Sequence, residues 1–304
     1  MTFMAAKQLT SFLPQSMAEW SQLIQLAVRL PIKSVWYPEH FYRQDADHTI
    51  RFSPQKMSYT QQASSSGAVL VILSPAPTGV GFQDACITLT KRSANVTTHK
   101  GQISFPGGRV ELGETTQQAA QREVREEINL DSSLYDIIGD LTTIISAEKD
   151  ILVTPHIAIA DAQIHPSCTN SEEVASIHYV HLSNLFLNSE YTHARLLKKQ
   201  LFDKISKPTY FPCFFASDAY DIPSLSIESS MKFRQNLDCG NSKDISLSDY
   251  PGQLVWGLTA FVLCELLARL AAMLEAQHPN LEVTKAASIL RCSDGVFCDI
   301  DCLR

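Results

Sequence analysis

The chain has 304 residues, 45% of them hydrophobic and 19% charged. These are ordinary globular proportions that allow a sizeable buried core. The formal net charge of -7 excludes the broad basic face of a general nucleic-acid binder, but not an anionic small molecule held through a cation.

In chain order, Met1 to Trp20 carries one lysine and no continuous apolar run, so no secretory leader is expected. Met17 to Leu30 repeats apolar residues at helical spacing within an otherwise polar stretch, and residues 1–64 read as an N-terminal extension. Gln61 to Gly67, QQASSSG, reads as a small-residue linker. Ala68 to Ser74, AVLVILS, is a continuous apolar run that predicts a central strand. A second strand is expected over Ala85 to Leu89, after a loop. Gly101 to Arg109 reads as strand and then glycine turn, and Thr115 to Ile128 has helical composition. Leu134 to Ser146, Ile151 to Ala160, Ala175 to Leu182 and Pro208 to Phe215 predict further strands.

Between the last two, Lys198 and Lys199 in ARLLKKQLFDK read as a solvated helix face. The Ser- and Asp-rich residues 222–251 predict a long loop insertion. Leu254 to Leu274 is the most apolar stretch, yet Glu265 and Arg269 interrupt it at helical spacing. It predicts a buried amphipathic helix, and no membrane contact is expected. In the tail, residues 276–304, Cys292, Cys298 and Cys302 lack the CxxC pairs of a zinc site. Eight scattered cysteines predict mostly reduced thiols and a cytoplasmic location. Strands and helices without regular alternation predict an α+β domain over residues 65–275, a mixed sheet between helices.

The chemistry-bearing segment is GGRVELGETTQQAAQREVREEINL, Gly107 to Leu130. Gly107 and Gly108 permit a tight turn and close approach of backbone to a ligand. Thr115 or Thr116 can cap the helix that follows, and Glu114 suits its positive end. Glu123, Glu126 and Glu127 stand at i, i+3 and i+4 and so share one face, while Ala120, Val124 and Ile128 form an adjoining apolar stripe. Like charges at helical spacing repel by a few tenths of a kcal/mol. A hard cation with oxygen ligands, Mg²⁺ or Mn²⁺, turns that cost into binding. The bland alternative is a solvated acidic helix face.

Gly108, Glu114, Arg122, Glu123, Val124, Glu126, Glu127 and Leu130 resemble the Nudix box, GX5EX7REUXEEXGU, with U a bulky apolar residue. One fixed position departs: Asn129 stands where the box has glycine. Asparagine is the residue that best tolerates a left-handed backbone after glycine, so it can serve as the C-cap. The resemblance implies a Nudix fold, a mixed β-sheet sandwiched between α-helices. It implies a pyrophosphohydrolase in which water attacks a nucleoside diphosphate derivative. Glu123, Glu126 and Glu127 match the box's metal ligands, and Arg122 matches the arginine that orients the glutamates.

Upstream, Leu89 to Gly108, LTKRSANVTTHKGQISFPGG, is similar to the extra motif of the coenzyme A pyrophosphatase branch. The matches are Leu89, Thr90, Arg92, Ser93, His99, Gly101, Phe105, Pro106, Gly107 and Gly108. Thr97 departs, standing where that motif has arginine. Further similarity lies in Val153-Thr154-Pro155, in Ser171 to Val174 and in Trp256 to Ala260. The branch implies cleavage of coenzyme A or acyl-CoA to 3′,5′-ADP and 4′-phosphopantetheine. Lys91, Arg92, His99, Gly107 and Gly108 are then expected at the substrate, and Glu172 or Glu173 is a candidate base. ADP-ribose or a dinucleotide is the alternative substrate, and a non-catalytic binding module a third reading. The sequence does not fix the oligomeric state.

Overall fold

A computed structural model describes residues 13–30, 42–44, 50–52, 65–75, 85–96, 99–146, 151–182, 195–199, 209–216, 253–278 and 297–299. The insertion expected over residues 222–251, the Thr97 departure and the side chains of Cys292, Cys298 and Cys302 lie outside what is described.

The functional half is built on one mixed sheet. In chain order its strands are β3 (Ser65–Pro75), β4 (Ala85–Arg92), β5 (Ile103–Ser104), β6 (Gly107–Arg109), β7 (Asp136–Asp140), β8 (Ile144–Ser146), β9 (Ile151–Ile159) and β10 (Val174–His181), following β1 (Tyr42–Gln44) and β2 (Ile50–Phe52). The order across the sheet is β10-β4-β3-β9-β7, with β5, β6 and β8 added to β4, β3 and β9. β3 and β9 run parallel from Ser65↔Ile151 to Leu73↔Ile159, and the other pairs are antiparallel. β3 is therefore the central strand, and its uninterrupted apolar run follows from burial on both faces. The sequence reading ended the preceding linker at Gly67. The strand in fact begins at Ser65, because Ser65, Ser66 and Gly67 pair with Ile151, Leu152 and Val153.

The helix α1 (Met17–Val28) starts at Ser16, whose hydroxyl accepts from the Glu19 N–H, and it buries Met17, Trp20, Leu23, Ile24 and Ala27. It packs on β7 and on α3 (Gly257–Gln277). α2 (Thr116–Ile128) packs on β3, β6 and β9. Its core comprises Ala119, Ala120, Val124 and Ile128 against Ala68, Leu70, Ile72 and Ala158. The stripe expected from helical spacing is thus the buried one.

α3 is long and apolar enough to cross a membrane, but two thirds of that stretch is buried inside the protein. Arg269 explains how a charge sits there. Its guanidinium donates to the carbonyls of Ala27, Val28 and Leu30 at 3.2, 2.9 and 2.7 Å, filling the acceptors left open at the end of α1. It also pairs with Glu265, only 1% exposed, whose carboxylate accepts from the N–H and hydroxyl of Thr142. One buried ion pair ties α1, α3 and the β7–β8 loop together.

A second sheet has the order β14-β11-β12-β1-β2, with β13 (Gln253–Trp256) on β12 (Thr209–Ala216) and β14 (Phe297–Asp299) parallel to β11 (Arg195–Lys199). Lys198 and Lys199, read from sequence as a helix face, stand on strand β11 opposite Tyr210 and Thr209. Pairing with β12 on one side and β14 on the other outweighs the local helical composition there.

Candidate metal and phosphate site

The site grows from the turn between β6 and α2. Thr115 caps α2 with a reciprocal capping box: its hydroxyl accepts from Gln118 N–H, and the Gln118 side chain accepts from Thr115 N–H. At the other end Asn129 adopts φ 53°, ψ 40°, and its N–H returns to the Arg125 carbonyl. The one departure from the box therefore keeps the left-handed cap that glycine would supply.

Close approach explains both glycines of the turn. A Cβ on Gly107 would lie 2.3 Å from the Ala68 carbonyl oxygen, at φ +152°. A Cβ on Gly108 would lie 2.1 Å from a carboxylate oxygen of Glu123. The turn is thus pressed between the central strand and the acidic helix, and Gly107 N–H donates to the Glu127 carboxylate at 3.2 Å.

Arg122 organises the acids. It grips Glu114 with two parallel bonds, Nε to Oε1 at 2.8 Å and Nη2 to Oε2 at 3.1 Å. Nη1 reaches Glu123 at 3.0 Å and Glu126 at 3.2 Å, and Nη2 also donates to the Arg109 carbonyl. The Arg122 guanidinium beside it holds the Glu114 carboxyl below the usual range. The same fork, with Glu114 foremost, makes the Arg122 proton harder to lose.

The three expected ligands are unequal. Glu126 has its side chain 60% exposed, whereas Glu123 is at 17% and Glu127 is only 4% exposed as a residue. Burial pushes the Glu127 carboxyl up to about 8. The Gly107 N–H and the Arg92 charge oppose that rise, and the charges of Glu123 and Glu173 add to it. Burial also raises Glu123, against the pull of Arg122.

Among the described residues no three His, Cys, Asp or Glu side chains close on a single point as a ligand set. The donors nonetheless suit a hard cation. They are carboxylate oxygens only, and two of them lack enough positive charge to offset their burial. Mg²⁺ commonly takes one or two protein carboxylates and completes its shell with water and substrate phosphate. Glu123 and Glu127 fit that pattern, with Glu126 on the outer side.

The substrate-side expectations separate on the hairpin of β4 and β5. Arg92 is close enough to Glu127 for its charge to register there, and its Nε is buried with no hydrogen-bond partner. Strand alternation sends Lys91 to the opposite face of β4. His99 is exposed at φ 57° and its Nδ1 meets the Gln102 side chain at 3.1 Å, within the turn that links the two strands.

Comparison with known proteins points to the same segment. Residues 68–200 match the family profile of the NUDIX domain. A Caenorhabditis elegans protein named Nudix hydrolase 3 is 35% identical over 124 residues, which are 40% of this chain and 51% of the relative. A chloroplastic Nudix hydrolase 22 of Arabidopsis thaliana is 32% identical over 140 residues, 45% of this chain and 41% of the relative. A NudL protein of Pectobacterium atrosepticum, an uncharacterized Nudix hydrolase by name, is 29% identical over 154 residues, 50% of this chain and 74% of the relative. The chain thus spans about half the length of the first two. The matched segment begins on β3 and contains the whole acidic turn and helix, while α1 and α3 lie outside it.

One feature of the site and one of the sheet beside it escaped the sequence reading. Which of Glu172 and Glu173 approaches the acids could not be read from adjacent identical residues. It is Glu173 whose charge reaches both Glu123 and Glu127. The His156–Asp140 pair, Nδ1 to Oδ1 at 2.5 Å, joins neighbouring strands that lie sixteen residues apart, with no motif to signal it.

Proposed function

We propose that the chain is a divalent-cation-dependent Nudix-type pyrophosphohydrolase, and that its substrate is coenzyme A or an acyl derivative, cut to 3′,5′-ADP and a 4′-phosphopantetheine. The observation that carries the hydrolase reading is the buried Glu127 carboxylate beside Glu123, held against Gly107 with no full countercharge. A bound cation supplies charge neutralisation for the phosphoryl group and helps to generate hydroxide from water. Glu123 and Glu127 would hold it. Arg122 keeps Glu123 in place and links it to Glu114 and Glu126, while Gly107 N–H holds Glu127. Arg92, with an unsatisfied donor next to Glu127, is placed to receive a phosphate oxygen.

The coenzyme A assignment rests on the hairpin motif from Leu89 to Gly108. Its FPGG end shapes the turn under the metal helix, and its Arg92 stands by the acids. His99 is proposed to meet the substrate at the hairpin tip. Lys91 is also proposed as a phosphate contact, although it leaves the strand on the face opposite Arg92. The relatives are Nudix hydrolases by name, which supports the reaction class and leaves the substrate to be tested.

The test incubates the full chain with coenzyme A and Mg²⁺ or Mn²⁺, and follows 3′,5′-ADP by chromatography beside a Glu127→Gln control. ADP-ribose and a dinucleotide polyphosphate run in the same panel. Faster cleavage of either would transfer the assignment to that substrate. Coenzyme A product equal to the control would end the coenzyme A assignment, and product equal to the control on every substrate of the panel would end the hydrolase reading.

A further inference from the structure

The second sheet lies largely outside the matched segment. Of its strands only β11 falls within residues 68–200, while β1, β2, β12, β13 and β14 do not. It meets the functional half where β13 touches β5, and where the Thr259 hydroxyl of α3 donates to the Ile103 carbonyl at 3.4 Å. Its composition sets it apart. The described strands carry Arg43, Arg51, Arg195, Lys198 and Lys199 against a single acid, Asp299. This basic sheet belongs to a chain whose net charge is -7.

Register gathers three of these cations into one line. Lys199 stands opposite Thr209, Thr209 opposite Arg43, and Arg43 opposite Arg51. Directly opposed residues share a face of the sheet, with Cβ atoms about 5 Å apart. The line Lys199–Thr209–Arg43–Arg51 therefore spans roughly 14 Å across β11, β12, β1 and β2. Asp299 does not enter it, because it pairs with Lys198, which alternation places on the opposite face. Thr209 shares its side of β12 with Cys213, the partner of Trp256, whereas Phe214 on the other side is the partner of Val255. Val255 is fully buried and Trp256 only partly, so the basic line lies on the less covered face.

Two arginines placed directly opposite each other repel, and so weaken the pairing in which they sit. An anion between them turns that repulsion into attraction, and guanidinium forks suit the oxygens of a phosphate. Lys199, two strands away, lies about 10 Å from Arg43 and suits a second phosphate of the same ligand. The line is one residue deep where it crosses β11 and β12, since the next positions on that face, Leu197 and Phe211, are apolar. So narrow a row fits a small molecule. A duplex or a membrane presents charge over a broad area, and would meet repulsion from the net charge of -7 beyond the row.

We propose that Arg43, Arg51 and Lys199 form a binding site for a small molecule with two or more phosphate groups, separate from the acidic site on α2. The ligand is held there by charge and by the arginine forks, and it needs no divalent cation. The inference stands apart from the hydrolase reading, because none of the three residues belongs to the acidic helix or to the hairpin of β4 and β5.

The experiment titrates the full chain with tripolyphosphate and with adenosine triphosphate by calorimetry, with divalent cations chelated. Wild type binds one tripolyphosphate, with an affinity that falls as salt rises. Loss of one charge-assisted bond costs about 10-fold or more, so Arg43→Gln and Arg51→Gln each weaken binding by that factor. Arg43→Lys recovers part of the loss, since it keeps the charge and not the fork. Arg195→Gln, in the same sheet but outside the line, and Arg92→Gln, at the acidic site, stay within roughly 2-fold of wild type. Folding is controlled by the melting temperature without ligand, which in Arg51→Gln equals or exceeds that of wild type because one opposed charge is gone. Equal affinity for the two ligands means that the phosphate chain alone is read, and tighter binding of the nucleotide means that the nucleoside is held as well. A wild type that binds neither ligand overturns the proposal. So does an Arg43→Gln/Arg51→Gln protein that binds as wild type does. Loss of binding in Arg92→Gln also overturns it, since the anion would then sit at the acidic site. Wild type that binds phosphatidylserine vesicles or a DNA duplex but not tripolyphosphate would replace the small ligand with a broad surface.

Discussion

The main-chain N–H of Gly107 donates to the Glu127 carboxylate at 3.2 Å, joining the glycine turn to the last turn of α2 across 20 residues. This single bond is outweighed by burial, which leaves the carboxyl raised to about 8. At pH 7 the cation-free protein therefore carries a proton on Glu127 that a metal must displace. Titrating Mn²⁺ calorimetrically in two buffers of different ionisation enthalpy should show release of about one proton at pH 7, shrinking above pH 8. Identical heats in the two buffers would contradict it. The sign for stability follows from the same shift. The folded state holds this proton more tightly than the unfolded one, so its contribution is complete below the ordinary carboxyl value of 4.5 and is lost as pH rises through about 8. The melting temperature of the cation-free protein should fall across that window, and added Mn²⁺ should flatten the fall.

Alanine at the two turn glycines should fail in different ways. At Gly108 the new Cβ meets the flexible end of Glu123, which can swing aside. Gly108→Ala should keep its melting temperature within a few degrees, the shift expected for less than about 1 kcal/mol, but lose about 10-fold in Mn²⁺ affinity. At Gly107 the Cβ meets the backbone of Ala68 and Val69. Gly107→Ala should cost at least about 2 kcal/mol in urea unfolding, the scale of a forced backbone strain. Reversed outcomes would mean that the turn does not sit on β3 as described.

Asn129 should accept glycine freely and reject branched residues. Its left-handed backbone costs an ordinary residue about 1–2 kcal/mol. Asn129→Gly should leave stability within about 0.5 kcal/mol, and Asn129→Val should lose about 1–2 kcal/mol, both read by chemical denaturation. Equal losses would point to the 3.4 Å bond that the Asn129 amide donates to the Ser167 hydroxyl as the dominant role.

Arg269→Ala should be far more damaging than its single residue suggests. It leaves Glu265 as a buried charge and three carbonyls at the end of α1 without donors. Breaking one side of a buried pair costs about 3–5 kcal/mol. Substituting both Glu265 and Arg269 with apolar residues of similar size should cost less than Arg269→Ala alone. Denaturation midpoints of the two proteins decide this.

The acidic helix was legible because everything that forms it is local. Its cap, its apolar stripe, its shared carboxylate face and the glycine turn before it all lie within Gly107 to Leu130. Asn129 could be placed as a cap for the same reason. Features that depend on chain segments meeting in space were not legible. Arg92 and Lys91 look alike in sequence, and only strand alternation on β4 separates them. That the charge of Glu173 reaches the acids depends on segments distant in sequence, with Ser93 N–H donating to the Glu173 carbonyl at 2.7 Å. β11 reads as helix until β12 and β14 pair with it. In the apolar run of α3, Glu265 and Arg269 looked like mere interruptions, whereas they bond to Thr142 and to the end of α1.

The clamp made by Arg269 also has a consequence for the order of events during synthesis. Ala27, one of its carbonyl partners, is made 242 positions earlier. At ribosomal speeds of about 5–20 residues per second, roughly 10–50 s separate the two. Throughout that interval the apolar side of α1, with Met17, Trp20 and Ile24, has no α3 to cover it. The nascent chain must carry this sticky helix until α3 emerges, which makes the helix the natural place for a chaperone to hold it.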